Sequence, residues 1–269
     1  MSEVEHFAYQ PQGVLRHYVR EILWIHSNHP RMQVLLPETA LTMLFRQSGT
    51  ASLRGKKLPD RIISGLQQQA RLVEHTAGSS MVVVRFTEVG APAVLRDRVD
   101  LLFDHTTTLD DVLPRQEIED VQDVLADKRG RQRQYKALEA FLSRRIGPQK
   151  GNAPVGISPQ IQAAVSLIHE SAGRASVAAI ARRVAMSQST LERHFRAAVG
   201  ATPKMLSRLA RLQHVCGLWD AGKSLTEIAF EAGYSDQPHL VHDFRLFTGR
   251  SPEEFFLSSA PRNLPILYK

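Results

Sequence analysis

The sequence predicts an α+β protein built from two unlike parts. Three observations predict this: β-branched runs bounded by turn residues in the N-terminal third, apolar residues at three- and four-residue intervals from Ala91 onward, and a stretch rich in glycine and proline at 147–156. We expect 1–146 to be a small β-sheet or barrel-like domain followed by helices, with a sensing or dimerising role. We expect 147–157 to be a linker and 158–269 to be an all-α domain in which a long helix joins two similar helix pairs.

The N-terminal elements are predicted from the change in hydrophobic pattern. Strands are expected at 19–28 and 33–45, and "SSMVVVRFT" at 79–87 is a β-branched run too short for a helix. Helices are expected in "VLRDRVDLLF" (94–103) and across 117–146, where apolar residues recur at helical spacing. The N-terminal part is therefore predicted to be sheet first and helices second.

The C-terminal part contains a repeat. "SVAAIARRVAMS" (176–187) aligns with "SLTEIAFEAGYS" (224–235), and the alignment continues with one extra residue so that a Gly and a Pro recur at matching positions after each unit. Two unrelated amphipathic helices would share apolar spacing but not this terminal Gly and Pro. The sequence therefore predicts two copies of one helix pair.

Each copy has the pattern of a helix-turn-helix unit. In the second copy, Ser224 and Glu227 form a capping box, Gly233 permits a left-handed turn, and Asp236 caps the next helix. In the first copy, Ser187 is the corresponding cap. The second helix of each copy buries an apolar face and exposes polar and basic residues. Short polar residues near the N-terminus, with an Arg one turn later, suit the DNA major groove.

One long helix is predicted between the copies, at 203–222. Its inner side is expected to carry Leu206, Leu209, Leu212, Cys216 and Trp219. Some 16 helical residues span roughly 24 Å, enough to hold two helices on one face of a duplex about one turn, roughly 34 Å, apart. Gly217 is inconsistent with this helix, since it costs about 1 kcal/mol relative to Ala.

Composition and charge point to an anionic partner. The chain has 269 residues, 43% hydrophobic and 23% charged, with a net charge of +7. Residues 174–223 hold nine basic and two acidic residues, so nine minus two accounts for the whole +7. A solvated helix face is the alternative interpretation of this run. No apolar run is long enough for a membrane helix and the N-terminus has no signal-peptide pattern, so a cytoplasmic location is expected.

Residues 158–256 resemble the DNA-binding domain of the AraC/XylS family of bacterial transcription regulators. The tandem units, the linking helix and the closing "FRLFTGRSPEEFF" carry the resemblance. It implies seven helices, of which the third and sixth are recognition helices, and promoter activation through contact with RNA polymerase. By position, the implied base-reading residues are Gln188, Ser189, Arg193, Gln237, His239 and His242. Phosphate contacts are expected from Arg182, Arg183, Arg196, Lys204, Arg245 and Arg250.

Two residues depart from the family pattern. Ala185 stands where the turn often has Gly, and His242 stands where the second recognition helix often has Arg. The second helix is therefore expected to bind more weakly or to read a different base. "RFTEVGAP" and "LDDVL" loosely resemble the sensor regions of some members, which implies a small-molecule effector. The helical tail at 116–146 is a candidate homodimer surface.

Other sites were weighed against these. His239 with His242, or His26 with His29, would be too few ligands for a metal, so no metal or other cofactor is expected. The only cysteine, Cys216, lies in the apolar stripe and is expected to be a core residue. "DKRGRQR" (127–133) is better explained as a solvated loop than as a phosphate site. No glycine-rich phosphate loop, nucleophile elbow or zinc-protease motif is present.

Three functions from different classes remain: a sequence-specific regulator, a ligand-independent architectural DNA-binding protein, and an enzyme fused to a DNA-binding domain. Two non-identical recognition helices favour the first, because an architectural protein needs mainly charge and apolar wedges. We predict an effector-responsive transcription regulator, an activator rather than an enzyme, that binds double-stranded DNA with helices near 188–198 and 237–247.

Overall fold

The computed structural model describes residues 4–127, 130–147, 158–219 and 222–257. The N-terminal part contains two antiparallel sheets. The larger has the strand order β1-β2-β9-β4-β7-β10, and the smaller has the order β3-β8-β5-β6. The strands are β1 (Val4–Tyr9), β2 (Val19–Ser27), β3 (Arg31–Leu35), β4 (Thr42–Ser48), β5 (Ala51–Leu53), β6 (Lys56–Lys57), β7 (Arg61–Ser64), β8 (Arg71–His75), β9 (Ser79–Phe86) and β10 (Thr106–Thr108).

Both faces of the larger sheet are apolar, and other elements of the chain cover each of them. One face, including Met43, Phe45 and Val84, is fully buried in the same core as three helices, which are α1 (Gly90–Leu95), α2 (Arg115–Ala126) and α3 (Arg131–Ile146). The opposite face, which includes Leu23 and Met81, is directed toward the smaller sheet and borders a cavity. The sheet therefore separates a packed helical core from a hollow space.

Two predicted elements were wrong. The strand expected at 33–45 is two strands, β3 and β4, which belong to different sheets; Pro37, which lies between them, disfavours continuous ladder pairing. The helix expected at 94–103 ends at Leu95, where Arg96 takes a left-handed conformation with φ 61°. The Arg96 guanidinium donates hydrogen bonds to the Arg145 carbonyl, so a long-range contact ends α1. The strand β10 also interrupts the predicted helical half.

The C-terminal part is helical, as predicted. Seven helices lie within the described residues from 158 onward, in agreement with the number expected from the resemblance. They are α4 (Pro159–Glu170), α5 (Val177–Arg183), α6 (Gln188–Val199), α7 (Pro203–Trp219), α8 (Leu225–Glu231), α9 (Gln237–Thr248) and α10 (Pro252–Leu257). Across the described ranges, no helix combines the length and the apolarity needed to cross a membrane.

The two parts share one apolar core. A continuous cluster of buried residues runs from Phe86 and Val94 in the N-terminal part to Leu191 and Phe244 in the C-terminal helices. Most of the predicted linker, from 148 to 157, lies outside the described residues, so the domain boundaries stay a prediction. The shared core shows that the two parts pack against each other rather than stand apart.

Candidate nucleic-acid interface

The first helix-turn-helix unit is α5 and α6. The Ser176 hydroxyl caps α5 by accepting a hydrogen bond from the Ala179 N–H, and the Ser187 hydroxyl caps α6 by accepting one from the Thr190 N–H. Between the helices, Ala185 has φ 54°. This confirms that alanine occupies the left-handed turn position, at a conformational cost that glycine would avoid.

The second unit is α8 and α9, and its sequence signals are confirmed. Ser224 and Glu227 form the capping box, Gly233 has φ 76°, and the Asp236 carboxylate accepts a hydrogen bond from the His239 N–H. Leu240 and Phe244 are buried, which turns the opposite face of α9 outward. We call α6 and α9 the reading helices.

The helix α7 connects the two units and is largely buried. Leu206, Leu209, Leu212 and Cys216 lie in the core as predicted, and the helix contacts α4, α6 and α8. At about 1.5 Å per residue, a helix of 17 residues is roughly 26 Å long. Packing on several sides makes α7 a rigid frame between the reading helices.

A partly buried ion pair attaches α9 to this frame. Asp243, only 7% exposed, accepts hydrogen bonds from the Arg208 guanidinium on α7 at 2.5 Å and from the Tyr234 hydroxyl at 3.1 Å. Burial and the neighbouring Asp243 charge raise the pKa of Tyr234, so its hydroxyl remains a donor. Sequence reasoning missed this cluster, although one signal was present: Asp243 lies among apolar residues on the buried face of α9.

The predicted reading residues of α6 lie on its surface. Gln188, Ser189 and Arg193 are all exposed. The Ser189 hydroxyl lies 3.2 Å from the Ser187 hydroxyl, whereas Gln188 and Arg193 make no side-chain hydrogen bond or ion pair with the described part of the chain. The first reading helix therefore presents an amide and a guanidinium that are available to a partner.

The predicted base-reading residues of α9 make more contacts within the chain than those of α6 do. The half-buried Gln237 accepts a hydrogen bond from the Thr226 hydroxyl through its amide oxygen at 3.1 Å. His239 shares a hydrogen bond with the Ser235 hydroxyl through Nδ1, and its ring meets the Tyr234 ring edge-on at 5.2 Å. His242 is exposed. The two reading helices thus differ in chemistry and in the freedom of their side chains.

Comparison with family models identifies this region. A model described as a helix-turn-helix domain matches residues 180–258, which span both reading helices and the frame between them. Residues 180–258 are a helix-turn-helix domain of the AraC type. A comparison with curated protein sequences finds no match.

Solved structures resemble the chain at low identity. ToxT from Vibrio cholerae is 10% identical over 95% of this chain and 98% of that chain, at a TM-score of 0.46. The C-terminal domain of AraT, a response regulator from Geobacillus stearothermophilus, is 22% identical over 37% of this chain and 84% of that chain, at 0.35. A DNA-binding transcriptional dual regulator from Escherichia coli K-12 is 23% identical over 36% and 95%, at 0.33. These TM-scores lie below 0.5, too low to bear on the site.

The AraC-type domain has two kinds of basic residue. Some are held by the protein itself: Arg208 pairs with Asp243, Arg211 donates to the Gly173 carbonyl, and Lys223 pairs with Glu231. Others are exposed and form no ion pair within the described ranges, namely Arg182, Arg183, Arg193, Arg196 and Lys204. Exposed cations without an ion-pair partner attract phosphate. This second group therefore gives the domain a positively charged surface.

The remaining predicted phosphate contacts lie in the last turn of α9 and just after this helix. Arg245 is exposed, with its guanidinium 4.0 Å from the Glu254 carboxylate, which is also exposed. Arg250 is exposed as well. An ion pair at this distance on the surface contributes little, so Arg245 can exchange Glu254 for a phosphate.

The N-terminal part contacts the ends of both reading helices. The Val99 N–H donates a hydrogen bond to the Ala197 carbonyl of α6 at 3.2 Å, and the Ala70 N–H donates one to the Phe247 carbonyl of α9 at 2.6 Å. The two contacting segments, 65–70 and 99–104, are themselves hydrogen-bonded, since the Asp104 carboxylate accepts from the Gln68 N–H. We call these segments the N-terminal platform. The platform joins both reading helices to the sheet domain.

A second connection between the two parts is centred on Glu88. Its carboxylate binds His169 of α4 at 2.9 Å and, from its own part, Arg20 and Thr39, each at 2.6 Å. Burial would raise the pKa of Glu88, but these hydrogen bonds and the Arg20 charge outweigh it and lower the pKa to about 2. The Glu88 carboxylate is therefore a charged anchor for α4.

Proposed function

We propose that the protein is a cytoplasmic, sequence-specific transcription regulator that reads two adjacent major-groove segments with α6 and α9. One observation carries the proposal: a single buried helix holds two capped helices whose exposed faces differ in chemistry. Two different readers on one chain match an asymmetric site without a second copy. The exposed cations around them supply affinity for phosphate, independent of base sequence.

We further propose that the N-terminal part makes this regulator responsive to a small molecule. The N-terminal platform supports this because it touches both reading helices while Gly65, Gln67 and Arg71, in or beside the platform, border the cavity between the sheets. A ligand that alters the 65–71 segment would act on α9 through Ala70. We propose activation through contact with RNA polymerase, and we assign no catalytic role.

Selection of binding sites from random duplex DNA tests the proposal. The expected result is an asymmetric consensus of two unlike motifs about one helical turn apart, with stronger base preference in the motif read by α6. The matched control is Arg193→Ala, which should remove preference at one position of that motif while other positions persist.

Equal protection of DNA of any sequence would instead identify an architectural binding protein. Transcription from a selected site, measured with purified RNA polymerase, separates activation from repression. Sedimentation of the protein with and without that DNA shows whether a homodimer forms.

A further inference from the structure

The N-terminal part encloses a cavity between its two sheets. Its lining is mainly aliphatic, with Leu23, Ile25, Leu44 and Met81 from the larger sheet and Val73 from the smaller. Its empty volume is ≈ 990 Å³, including the space at its mouth. A cavity with this aliphatic lining is suited to the apolar body of a small molecule.

One end of the cavity carries buried arginine and histidine nitrogens that lack hydrogen-bond partners. Arg46 and His75 line it, and Arg31 lies next to them, directly opposite His75 in the pairing of β3 with β8. These three side chains are 3%, 6% and 8% exposed, respectively. All three guanidinium nitrogens of Arg31, two of Arg46 and both ring nitrogens of His75 are buried and have no hydrogen-bond partner in the described part of the chain. We call these residues the arginine cluster.

Acidic residues do not balance the arginine cluster from inside. The Asp60 carboxylate lies 3.5 Å from Arg46 Nε, but its side chain is 58% exposed and the contact is not a hydrogen bond. Glu74 lies on the outer face of β8, where it accepts a hydrogen bond from Ser52. Burial and the charges of Arg31 and Arg46 lower the pKa of His75 to about 3. The interior of this end therefore has a positive potential, which the exposed Asp60 carboxylate offsets only from the outside.

The other cations of the cavity have partners. Arg85 pairs with Glu21 and Glu38, and Arg71 donates a hydrogen bond to the Thr106 hydroxyl at 2.7 Å. The contrast matters because an unpaired buried charge is strongly unfavourable, and proteins normally pair such groups. Buried nitrogens without a partner are therefore concentrated in the arginine cluster, and Arg71 Nε is the one other such nitrogen among the described residues that line the cavity.

We propose that this cavity binds a small molecule with a carboxylate or phosphate head and an apolar body, the head lying between Arg31 and Arg46 beside His75. Planar guanidinium groups bind either anion through paired hydrogen bonds, and the aliphatic lining accepts the body. This inference deepens the proposed function, on which its regulatory meaning rests. The binding itself needs no DNA.

Calorimetric titration of the full chain, without DNA, tests the proposal with four probes: octanoate, octyl phosphate, octan-1-ol and inorganic phosphate. We expect one or both amphiphilic anions to bind at least about tenfold more tightly than octan-1-ol and than inorganic phosphate. The preferred head group then separates a carboxylate ligand from a phosphate ligand. Equal binding of octan-1-ol, or no binding of either amphiphilic anion, overturns the proposal.

Two substitutions locate the site. Arg31→Met should weaken binding of the preferred anion about tenfold or more, and it should raise the Tm of the ligand-free protein by about 2–4 °C because an unpaired buried charge is removed. Arg16→Met, at an exposed arginine of the same part, should change neither value. Unchanged anion binding by Arg31→Met overturns the assignment to this cluster.

Arg46→Lys keeps the positive charge with less disturbance, and it should retain part of the binding. Its loss of affinity should be smaller than that of Arg46→Gln. Equal losses would show that charge at the cluster is not what binds the head, which would also overturn the proposal. Because none of these titrations contains DNA, failure here leaves the DNA-binding proposal to its own experiment.

Discussion

The Ala70 N–H donates a 2.6 Å hydrogen bond to the Phe247 carbonyl, near the end of the second reading helix. Ala70 immediately precedes β8, which borders the cavity, and Phe247 is in the last turn of α9. This bond and the matching bond from Val99 to Ala197 place the sheet domain against both reading helices. The position of the readers thus depends on contacts outside the helix-turn-helix units.

Ala70→Pro tests this dependence because it removes the donor N–H. We expect a loss of about 0.5–1.5 kcal/mol in the free energy of unfolding and faster hydrogen exchange in the last turn of α9. Ala70→Ser, which keeps the N–H, is the matched control. Unchanged exchange at residues 244–249 in the proline variant would show that the platform does not support α9.

Arg193→Ala tests the assignment of the reading face. If Arg193 bonds bidentately to a guanine, its loss should cost roughly 1–3 kcal/mol and relax base preference at one position. Arg182→Ala should instead weaken binding to all DNA sequences alike and make the dependence of affinity on salt less steep. Binding of both variants to several duplexes over a salt series distinguishes them. Were Arg193→Ala to behave as Arg182→Ala does, α6 would be reading through another face.

Ala185→Gly tests the cost of the first turn. Ala185 has φ 54°, a conformation that glycine adopts with little penalty, so the variant should be stabilised by about 1 kcal/mol. The converse change at the equivalent turn, Gly233→Ala, should destabilise the chain, because its added Cβ would also lie 2.8 Å from the Arg174 side chain. Chemical denaturation of both variants measures the two effects. A destabilised Ala185→Gly protein would contradict the turn assignment.

Glu88 predicts a pH dependence of stability. Its pKa in the folded protein, about 2, lies below the ordinary value of 4.5. A depressed carboxylate pKa stabilises the folded state above the unfolded pKa, and that contribution is lost as pH falls from about 4.5 toward 2. The loss should be on the order of 3 kcal/mol. Glu88→Gln should be less stable at pH 7 and show a shallower decline over this range. If the stability of the two proteins declines in parallel over this pH range, Glu88 is not the cause of the decline.

Local signals allowed much of the C-terminal part to be predicted. The caps Ser187, Ser224 and Asp236 act through hydrogen bonds to residues three positions away, and Gly233 acts through its own backbone. The repeat therefore predicted the positions of both reading helices. Helical periodicity predicted which basic residues are exposed. Such interactions depend on neighbours in sequence, so they can be predicted from the sequence directly.

Tertiary structure alone decided the rest. The sequence could not show that β3 and β4 pair in different sheets, because strand pairing depends on residues far along the chain. Nor could it show that Asp243 removes Arg208 from the basic surface, or that Arg31 and Arg46 converge where most of their guanidinium nitrogens have no hydrogen-bond partner among the described residues. The sequence shows which residues are charged. The partner of each charge and its exposure to water are determined only when distant segments pack together.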